Sequence, residues 1–418
     1  MTEASHKDRR EDGFHMAKDS LSVRLQRSLA LKGNIKALMV ESLVGSMFYG
    51  MFYPIWQPFV LSLGASVSIM GGLGAILSLS GSLSSLFWGR LSDNVGRKPL
   101  ILLSSVLRAI AIGICLMAKT WYLLIPYAIL MGLSASYQQL NPANASMVAE
   151  SVEREERGTA YSVLMAFPMV VSAIVAPLGG LIAMIYGLHM IFYGCVVADI
   201  FCILVTWLFI RETIEKERPH QRSQSWRTLL LGMFRPEAKL KGFYASMVVD
   251  AFAYGLAFAI LYGMLVETYG FTEYQLGLLS AISSLAWALS QIPIGKLMDK
   301  YGRKPFLLLS ELMGITTLLG WLFSRDFISF AIFQVSSGVM IAAWVPTTAA
   351  ILADSVPKEN RAEAMGRLQA FRGLLAFPAP YLGGLLYDTF GFHLPVVANL
   401  MGSVAAFILI LLLVKETT

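Results

Sequence analysis

Six ionisable residues stand inside runs that are otherwise almost free of charge: Glu41, Arg108, Asp199, Asp250, Glu311 and Arg372. The runs are roughly 20 to 25 residues long, the length a helix needs to cross about 30 Å of hydrocarbon. A carboxylate or guanidinium at the centre of such a helix costs at least about 2.5 to 3.5 kcal/mol, so each one calls for a partner, a wet cavity or a task. The chemistry open to them is reversible protonation. Desolvation favours a neutral acid and a nearby guanidinium favours the carboxylate, so an acid that moves between those settings takes up and releases a proton. Glu41 and Asp250 are the candidates for that role, with Arg372 the best counter-charge for either. Glu311 has no evident partner, and from one to two turns inside its run it is expected to snorkel toward the nearer surface.

The elements that must position these groups are membrane helices. A soluble chain carries roughly 45 to 50% apolar and 25% charged residues; this one has 56% and 14% over 418 residues. Twelve apolar runs between residues 37 and 413 predict an all-α integral membrane protein of twelve spans. A polar tail (1–34) precedes six of them (35–211), and a charged linker (212–241) separates these from the other six (242–418). The tail has no apolar core of the signal-peptide kind. Leu21, Leu25 and Leu29 beside Arg24, Arg27 and Lys32 suit either a short helix on an anionic leaflet or a solvated tail. With the tail in the cytoplasm, nearly every Lys and Arg falls in the tail, the linker or loops on the same side, leaving Lys119 and Arg325 opposite. The positive-inside rule then puts both termini in the cytoplasm, and the net charge of +6 needs no nucleic-acid partner.

Helical periodicity extends the acids into faces. Glu41 shares one with Gly45, Phe48, Tyr49, Phe52 and Trp56, and Asp250 shares one with Tyr254, Ala257, Phe258 and Leu261. Because a buried acid turns away from lipid, these aromatic stripes are candidate cavity walls: Tyr49, Phe52, Trp56, Tyr254 and Phe258. Gln138 and Asn141 share a face of the fourth span, and Thr347 and Thr348 follow Pro346 in the tenth. Such neutral donors suit a neutral or amphipathic solute, or hydrogen bonds between helices.

One connector is written twice. Gly89-Arg90-Leu91-Ser92-Asp93-Asn94-Val95-Gly96-Arg97-Lys98-Pro99 joins the second and third spans, and Gly295-Lys296-Leu297-Met298-Asp299-Lys300-Tyr301-Gly302-Arg303-Lys304-Pro305 joins the eighth and ninth. Gly96 and Gly302 fall where a tight two-helix turn wants a positive φ, and Pro99 and Pro305 where a helix begins without losing a bonded N–H. Self-similarity continues at an offset of 204 residues: Glu150 and Arg157 match Asp354 and Arg361, and Gly179-Gly180 matches Gly383-Gly384.

Both connectors fit G-x-L-x-D-x-x-G-R-[RK], and on that motif the chain resembles the major facilitator superfamily of secondary transporters. The resemblance covers nearly the whole chain and implies two pseudo-symmetric six-helix bundles with a substrate site between them at mid-depth. It implies a conformational latch at Gly89, Asp93, Gly96, Arg97, Gly295, Asp299, Gly302 and Arg303, in which the aspartate engages the other bundle. It places the first and seventh spans on the central path, and the third and sixth outside, so that Arg108 and Asp199 read as a structural pair shielding each other from lipid. The chain departs from the drug/proton antiporter branch, with Ala128 where an arginine is usual and Ala176-Pro177-Leu178-Gly179-Gly180 one residue short of G-P-x-x-G-G. Sugar-porter signatures are missing at Arg211-Glu212-Thr213 and Lys415-Glu416-Thr417. The branch stays open.

The expected function is alternating access with proton-coupled export of an amphipathic small molecule, acting as a monomer in the cell membrane. Proton-coupled uptake of a small metabolite, and a non-transporting sensor with the same fold, are the alternatives. No cofactor or metal is expected: Cys115, Cys195 and Cys202 lie inside spans without paired spacing. No intramembrane His, P-loop or nucleophile motif suggests an enzyme.

Overall fold

A computed structural model describes residues 33–134, 142–151, 157–213, 238–356 and 361–416. The first set of helices is α1 (Asn34–Ser62), α2 (Val67–Val95), α3 (Arg97–Met117), α4 (Leu124–Leu133), α5 (Pro142–Ser151), α6 (Arg157–Tyr186) and α7 (His189–Phe209). The second is α8 (Lys241–Ala257), α9 (Leu261–Tyr269), α10 (Glu273–Tyr301), α11 (Lys304–Phe323), α12 (Phe327–Ser355), α13 (Arg361–Ala376), α14 (Ala379–Phe390) and α15 (His393–Leu413). Among the described residues ten helical segments are long and apolar enough to cross a membrane. Of the expected fourth span, α4 and α5 are the described parts, and the eleventh appears as the shorter pair α13 and α14. The seventh is broken by a 3-10 turn at Phe258–Ile260 between α8 and α9.

Local chemistry marks the ends. Gly96 (φ 115°) and Gly302 (φ 92°) take the positive φ expected of the two hinges. Thr272 caps α10 in a reciprocal box with Gln275, and Asp326 caps α12 with Ser329. The end of the molecule carrying Gly96 and Gly302 is here the hinge end, and the other the far end.

In the first bundle α1 packs on α6 and α7, and α3 on α7; in the second α8 packs on α15 and α13, and α11 on α12 and α15. The bundles meet along α6 with α10 and along α2 with α13 and α14. Under the duplication these two seams exchange, and the same device closes each near the far end. A Cβ on Gly71 would strike the Pro380 carbonyl and one on Gly384 the backbone of Val67 and Ser68. A Cβ on Gly277 would strike Ala176 and Pro177, and one on Gly180 the backbone of Glu273 and Tyr274. Small residues let helix backbones touch where there is no water to drive association, so four glycines hold the two seams.

Candidate functional site

Two charge clusters within the helical spans lie about 10 to 16 Å from the hinge end, counting 1.5 Å per helical residue. In the first bundle Arg108 of α3 reaches Asp199 of α7, Nε to Oδ1 at 2.7 Å, and Asp199 is fully buried. Tyr49 of α1 donates its hydroxyl to the other oxygen of Asp199 at 2.8 Å, and the guanidinium lies 5.0 Å from the centre of the Tyr49 ring. Glu41 is also buried, takes a hydrogen bond from Thr206 (3.5 Å), and lies near enough to feel the charges of Arg108 and Asp199. The cluster therefore brings Glu41, Arg108, Asp199 and Tyr49 together, each acid with its own donors.

In the second bundle Arg372 of α13 faces Asp250 of α8, Nη2 to Oδ2 at 3.6 Å. The same oxygen accepts the Trp344 indole N–H at 3.2 Å, and the guanidinium stacks on that indole 4.3 Å from the ring centre. Arg372 thus meets Asp250, while Glu41 lies within the field of Arg108, which is itself bonded to Asp199. Glu311 does not snorkel: it is 4% exposed and lies near enough to Asp250 and Arg372 to feel their charges. The expectation fails because α11 turns this position toward Asp250 of α8 and not toward the headgroups.

The aromatic stripes divide. Phe52 is buried against Phe192 and Tyr127, ring centroids 5.6 and 6.5 Å away, which makes it core of the first bundle instead of cavity wall. Trp56 stacks on Tyr127 at 4.2 Å, half-buried in the same packing. Tyr254 is exposed and lies parallel to Phe258 at 5.1 Å, while Phe258 leans on buried Trp321. Gln138 and Asn141 lie outside the described residues, as do the side chains of Gly89's neighbour Arg90 and of Asp93, and the tail and most of the linker. Gly89 itself falls in the last turns of α2.

Each hinge is bound to its own bundle. Arg97 Nη2 lies 3.1 Å from Glu150, and Arg303 lies 3.0 Å from Asp299 and 3.3 Å from Asp354. Asp299, exposed, is spent on Arg303 of the same hairpin. Two carboxylates to which the sequence reading gave no hinge role complete the hinges. Glu212 accepts the backbone N–H groups of Arg97 (3.0 Å) and Lys98 (3.1 Å), and Glu416 accepts those of Arg303 (2.6 Å) and Lys304 (3.3 Å). Each sits at a helix N-terminus, where orphan N–H groups and the helix dipole favour an anion. A Cβ on Gly96 or Gly302 would lie 2.5 Å from the carboxylate, so these positions need glycine for room as well as for φ. The signal was available: Glu212 and Glu416 stand at the same 204-residue offset as the other repeats.

At the far end hydrogen bonds among the described residues join the bundles. Gln57 of α1 donates to the Ala259 carbonyl at 2.9 Å and accepts the Gly263 N–H at 2.7 Å, and Ser68 N–H donates to Asp388 of α14 at 3.0 Å. Gln57 meets α8 and α9 where the 3-10 turn frees backbone groups. Tyr53 and Tyr262 add an edge contact across the same seam.

Comparison with known proteins fits this architecture. The chain is similar to the multidrug resistance protein MdtG of Dickeya zeae (strain Ech586), 27% identical over 364 residues that cover 84% of this chain and 88% of the relative. It is 26% identical to MdtG of Salmonella typhimurium over 378 residues, 86% of this chain and 91% of that one. Among solved structures, a nucleoside transporter NupG mutant superposes with a TM-score of 0.74 at 14% identity, over 91% of this chain and 100% of that one. The human organic anion transporter MFSD10 superposes with a TM-score of 0.69 at 16% identity, over 90% and 98%. At those identities the structures speak for the fold alone. The family model described as Major Facilitator Superfamily matches residues 38–265 and 242–418, so it spans both bundles, and the chain belongs to that superfamily of secondary transporters.

Proposed function

We propose that the protein exports amphipathic small molecules in exchange for protons, with Asp250 and Arg372 as the coupling pair. The observation that carries the coupling is the second-bundle cluster: Arg372 faces the half-buried carboxylate of Asp250 at 3.6 Å, the guanidinium is stacked on Trp344, and the helix of Asp250 also carries the exposed Tyr254. In hydrocarbon an uncompensated charge is costly, so that site favours an added proton or a cationic solute. The direction of transport follows the relatives, which are named multidrug resistance proteins. Tyr254, exposed on Asp250's own helix and stacked on Phe258, supports an aromatic wall for an amphipathic solute.

In this reading the hinge end faces the cytoplasm of a monomer in the cell membrane. The concentration of Lys98, Lys241, Lys296, Lys300, Arg303 and Lys304 at that end supports it, against Lys119 and Arg325 at the other. Gly89, Asp93, Gly96, Arg97, Gly295, Asp299, Gly302 and Arg303 belong to the part that opens and shuts, and the far-end contacts of Gln57 and Asp388 belong to its opposite state. Glu41, Arg108 and Asp199 act together as a structural cluster that steadies the first bundle. The test is dye accumulation in cells stripped of their own efflux systems. Cells producing the protein should hold less of one or more amphipathic dyes, and a protonophore should abolish the difference. Equal accumulation across a broad panel contradicts export.

A further inference from the structure

Trp88 gives its indole N–H to the Leu133 carbonyl, and Trp287 and Trp321 bury theirs without a partner among the described residues. Trp344 gives its own to a carboxylate. It donates to Asp250 Oδ2 at 3.2 Å, and the Arg372 guanidinium lies over the face of the same ring, 4.3 Å from its centre. One side chain thus touches both halves of the pair, the acid by its edge and the base by its face. The pair is loose: Arg372 Nη2 stops 3.6 Å from that same oxygen, where Arg108 comes within 2.7 Å of Asp199. The Asp250 side chain keeps 15% of its surface open against 1% for Asp199, so the first can be reached from outside and the second cannot.

Local sequence fixes both contacts to the ring. Pro346 withholds the N–H that would have bonded the Ala342 carbonyl, and Thr348 donates its hydroxyl to the Trp344 carbonyl at 2.9 Å, tying down the turn that carries the indole. On α13 a Cβ at Gly373 would strike the Ser82 hydroxyl of α2, so the backbone beside Arg372 is pinned and only its side chain can move. The ionisable groups near the pair are Glu311 of α11 and Tyr254, one turn along α8. Lys241 and Tyr244 of α8, Lys304 of α11, Asp354 of α12, and Arg361, Glu363 and Arg367 of α13 stand nearer the hinge end. So do Arg90 and Asp93 of α2 and Lys296, Asp299 and Lys300 of α10. Tyr262 and Glu267 of α9, Tyr381, Tyr387 and Asp388 of α14, and His393 of α15 stand toward the far end.

We propose that Trp344 is a positioning residue of the coupling pair: its indole holds the Arg372 guanidinium off Asp250, so that the carboxylate stays open to a proton. The inference rests on the coupling reading above and adds the group that sets the spacing of the pair. A closed pair like Arg108 with Asp199 would keep the acid ionised throughout the cycle, because a touching guanidinium favours the carboxylate. Two substitutions separate the edge of the ring from its face. Trp344→Phe keeps a ring under the guanidinium and removes the N–H, so the ionised carboxylate loses a donor and takes a proton more readily. Trp344→Leu removes ring and donor together, so the guanidinium closes on the carboxylate and favours its ionised form. Opposite shifts from one side chain are not what lost packing alone would produce.

The experiment is transport by the full-length protein in proteoliposomes, using an amphipathic dye that the cell assay shows to be exported. The pH difference across the membrane is held constant while the absolute pH is stepped. The midpoint of the pH profile in Trp344→Phe should lie roughly one pH unit above the wild type, the worth of one hydrogen bond to a charged group. That of Trp344→Leu should lie below the wild type. In an Asp250→Asn background neither substitution should move the profile; a shift that persists there belongs to Glu311 and overturns the proposal. Midpoints that stay put, or that move the same way in both variants, also overturn it. If Trp344→Leu fails to fold, Trp344→Phe and its Asp250→Asn control decide. A second measurement needs no transport: the ultraviolet resonance Raman difference between wild type and Trp344→Phe isolates this indole. Its N–H-sensitive band should report a hydrogen bond that is lost in Asp250→Ala, and a band unchanged there overturns the contact itself. Gradient-driven export with an unmoved Trp344→Phe midpoint removes the role of Trp344 and leaves the coupling reading. Wild-type transport indifferent to the gradient overturns the coupling reading first, and the role of Trp344 with it.

Discussion

Asp199, fully buried, and Asp250, half-buried, are both acids facing an arginine, and their surroundings predict opposite responses to change. Asp199 is held by Arg108 and Tyr49 at 2.7 and 2.8 Å. Removing one member of a buried, well-made pair strands the other charge and costs about 3 to 5 kcal/mol. Asp199→Ala should therefore lower the unfolding temperature in detergent sharply. Asp250→Asn keeps an acceptor for Trp344 and gives up a looser contact, so the loss should be near the about 0.5 to 1.5 kcal/mol of one ordinary hydrogen bond. Its larger effect should be transport that no longer responds to a proton gradient. The reverse ranking in thermal unfolding would contradict the division of labour between the bundles. At this scale the sequence exposed which residues were out of place in hydrocarbon, because charge in an apolar run needs no partner to be seen. It did not expose who meets whom. Periodicity sets the face a residue shares within its helix, but the rotation of α11 that brings Glu311 to Asp250, and of α1 that brings Glu41 to Arg108, is decided by packing between helices far apart in the chain.

The hinge is the element where local rules read most directly. A glycine between two charged turns, followed by a helix start, predicts a positive φ, and Gly96 and Gly302 have it. What local rules omit is the carboxylate that arrives from more than a hundred residues away. Glu212 and Glu416 bind the starts of α3 and α11 to the ends of α7 and α15, and Lys98 returns the contact through its ammonium to the Trp207 carbonyl at 2.8 Å. Gly96→Ala should thus cost more than Glu212→Ala. The first forces a left-handed conformation worth roughly 1 to 2 kcal/mol and also displaces the carboxylate, while the second loses a charge at a helix start, worth about 0.3 to 1 kcal/mol. Thermal unfolding of the two variants and of the matching pair Gly302→Ala and Glu416→Ala checks this. Equal, negligible shifts in all four would show that the capped hinge contributes nothing to holding each bundle rigid. Rigid bundles are what a rocking motion requires, since a bundle that flexed at its hinge would absorb the movement instead of transmitting it.

For the molecule as a whole, the two seams follow from duplication: glycine on one helix against backbone on its partner, once through Gly71 and Gly384 and once through Gly277 and Gly180. The repeat was legible in the sequence at the level of halves and hinges. The pairing of Gln57 with Ala259 and Gly263 was not, since a helical pattern conceals the 3-10 turn that frees those backbone groups. Gln57→Ala removes two hydrogen bonds between the bundles, about 0.5 to 1.5 kcal/mol each, and should shift the population toward a far-end-open form. Spin labels at Tyr122→Cys and Ile328→Cys, exposed at the far end, should then report longer distances in the variant than in the parent. An unchanged distribution would remove Gln57 from the closure. Above these parts stands the coupling of solute to protons, and one measurement reaches it most directly: the pH inside sealed proteoliposomes when a transported dye is added outside, with no gradient imposed. The account predicts an internal pH rise in step with dye entry for the wild-type protein, as protons leave in exchange, and dye entry without a pH change for Asp250→Asn. Dye entry that leaves internal pH untouched in the wild type, or an undiminished pH change in Asp250→Asn, would contradict it.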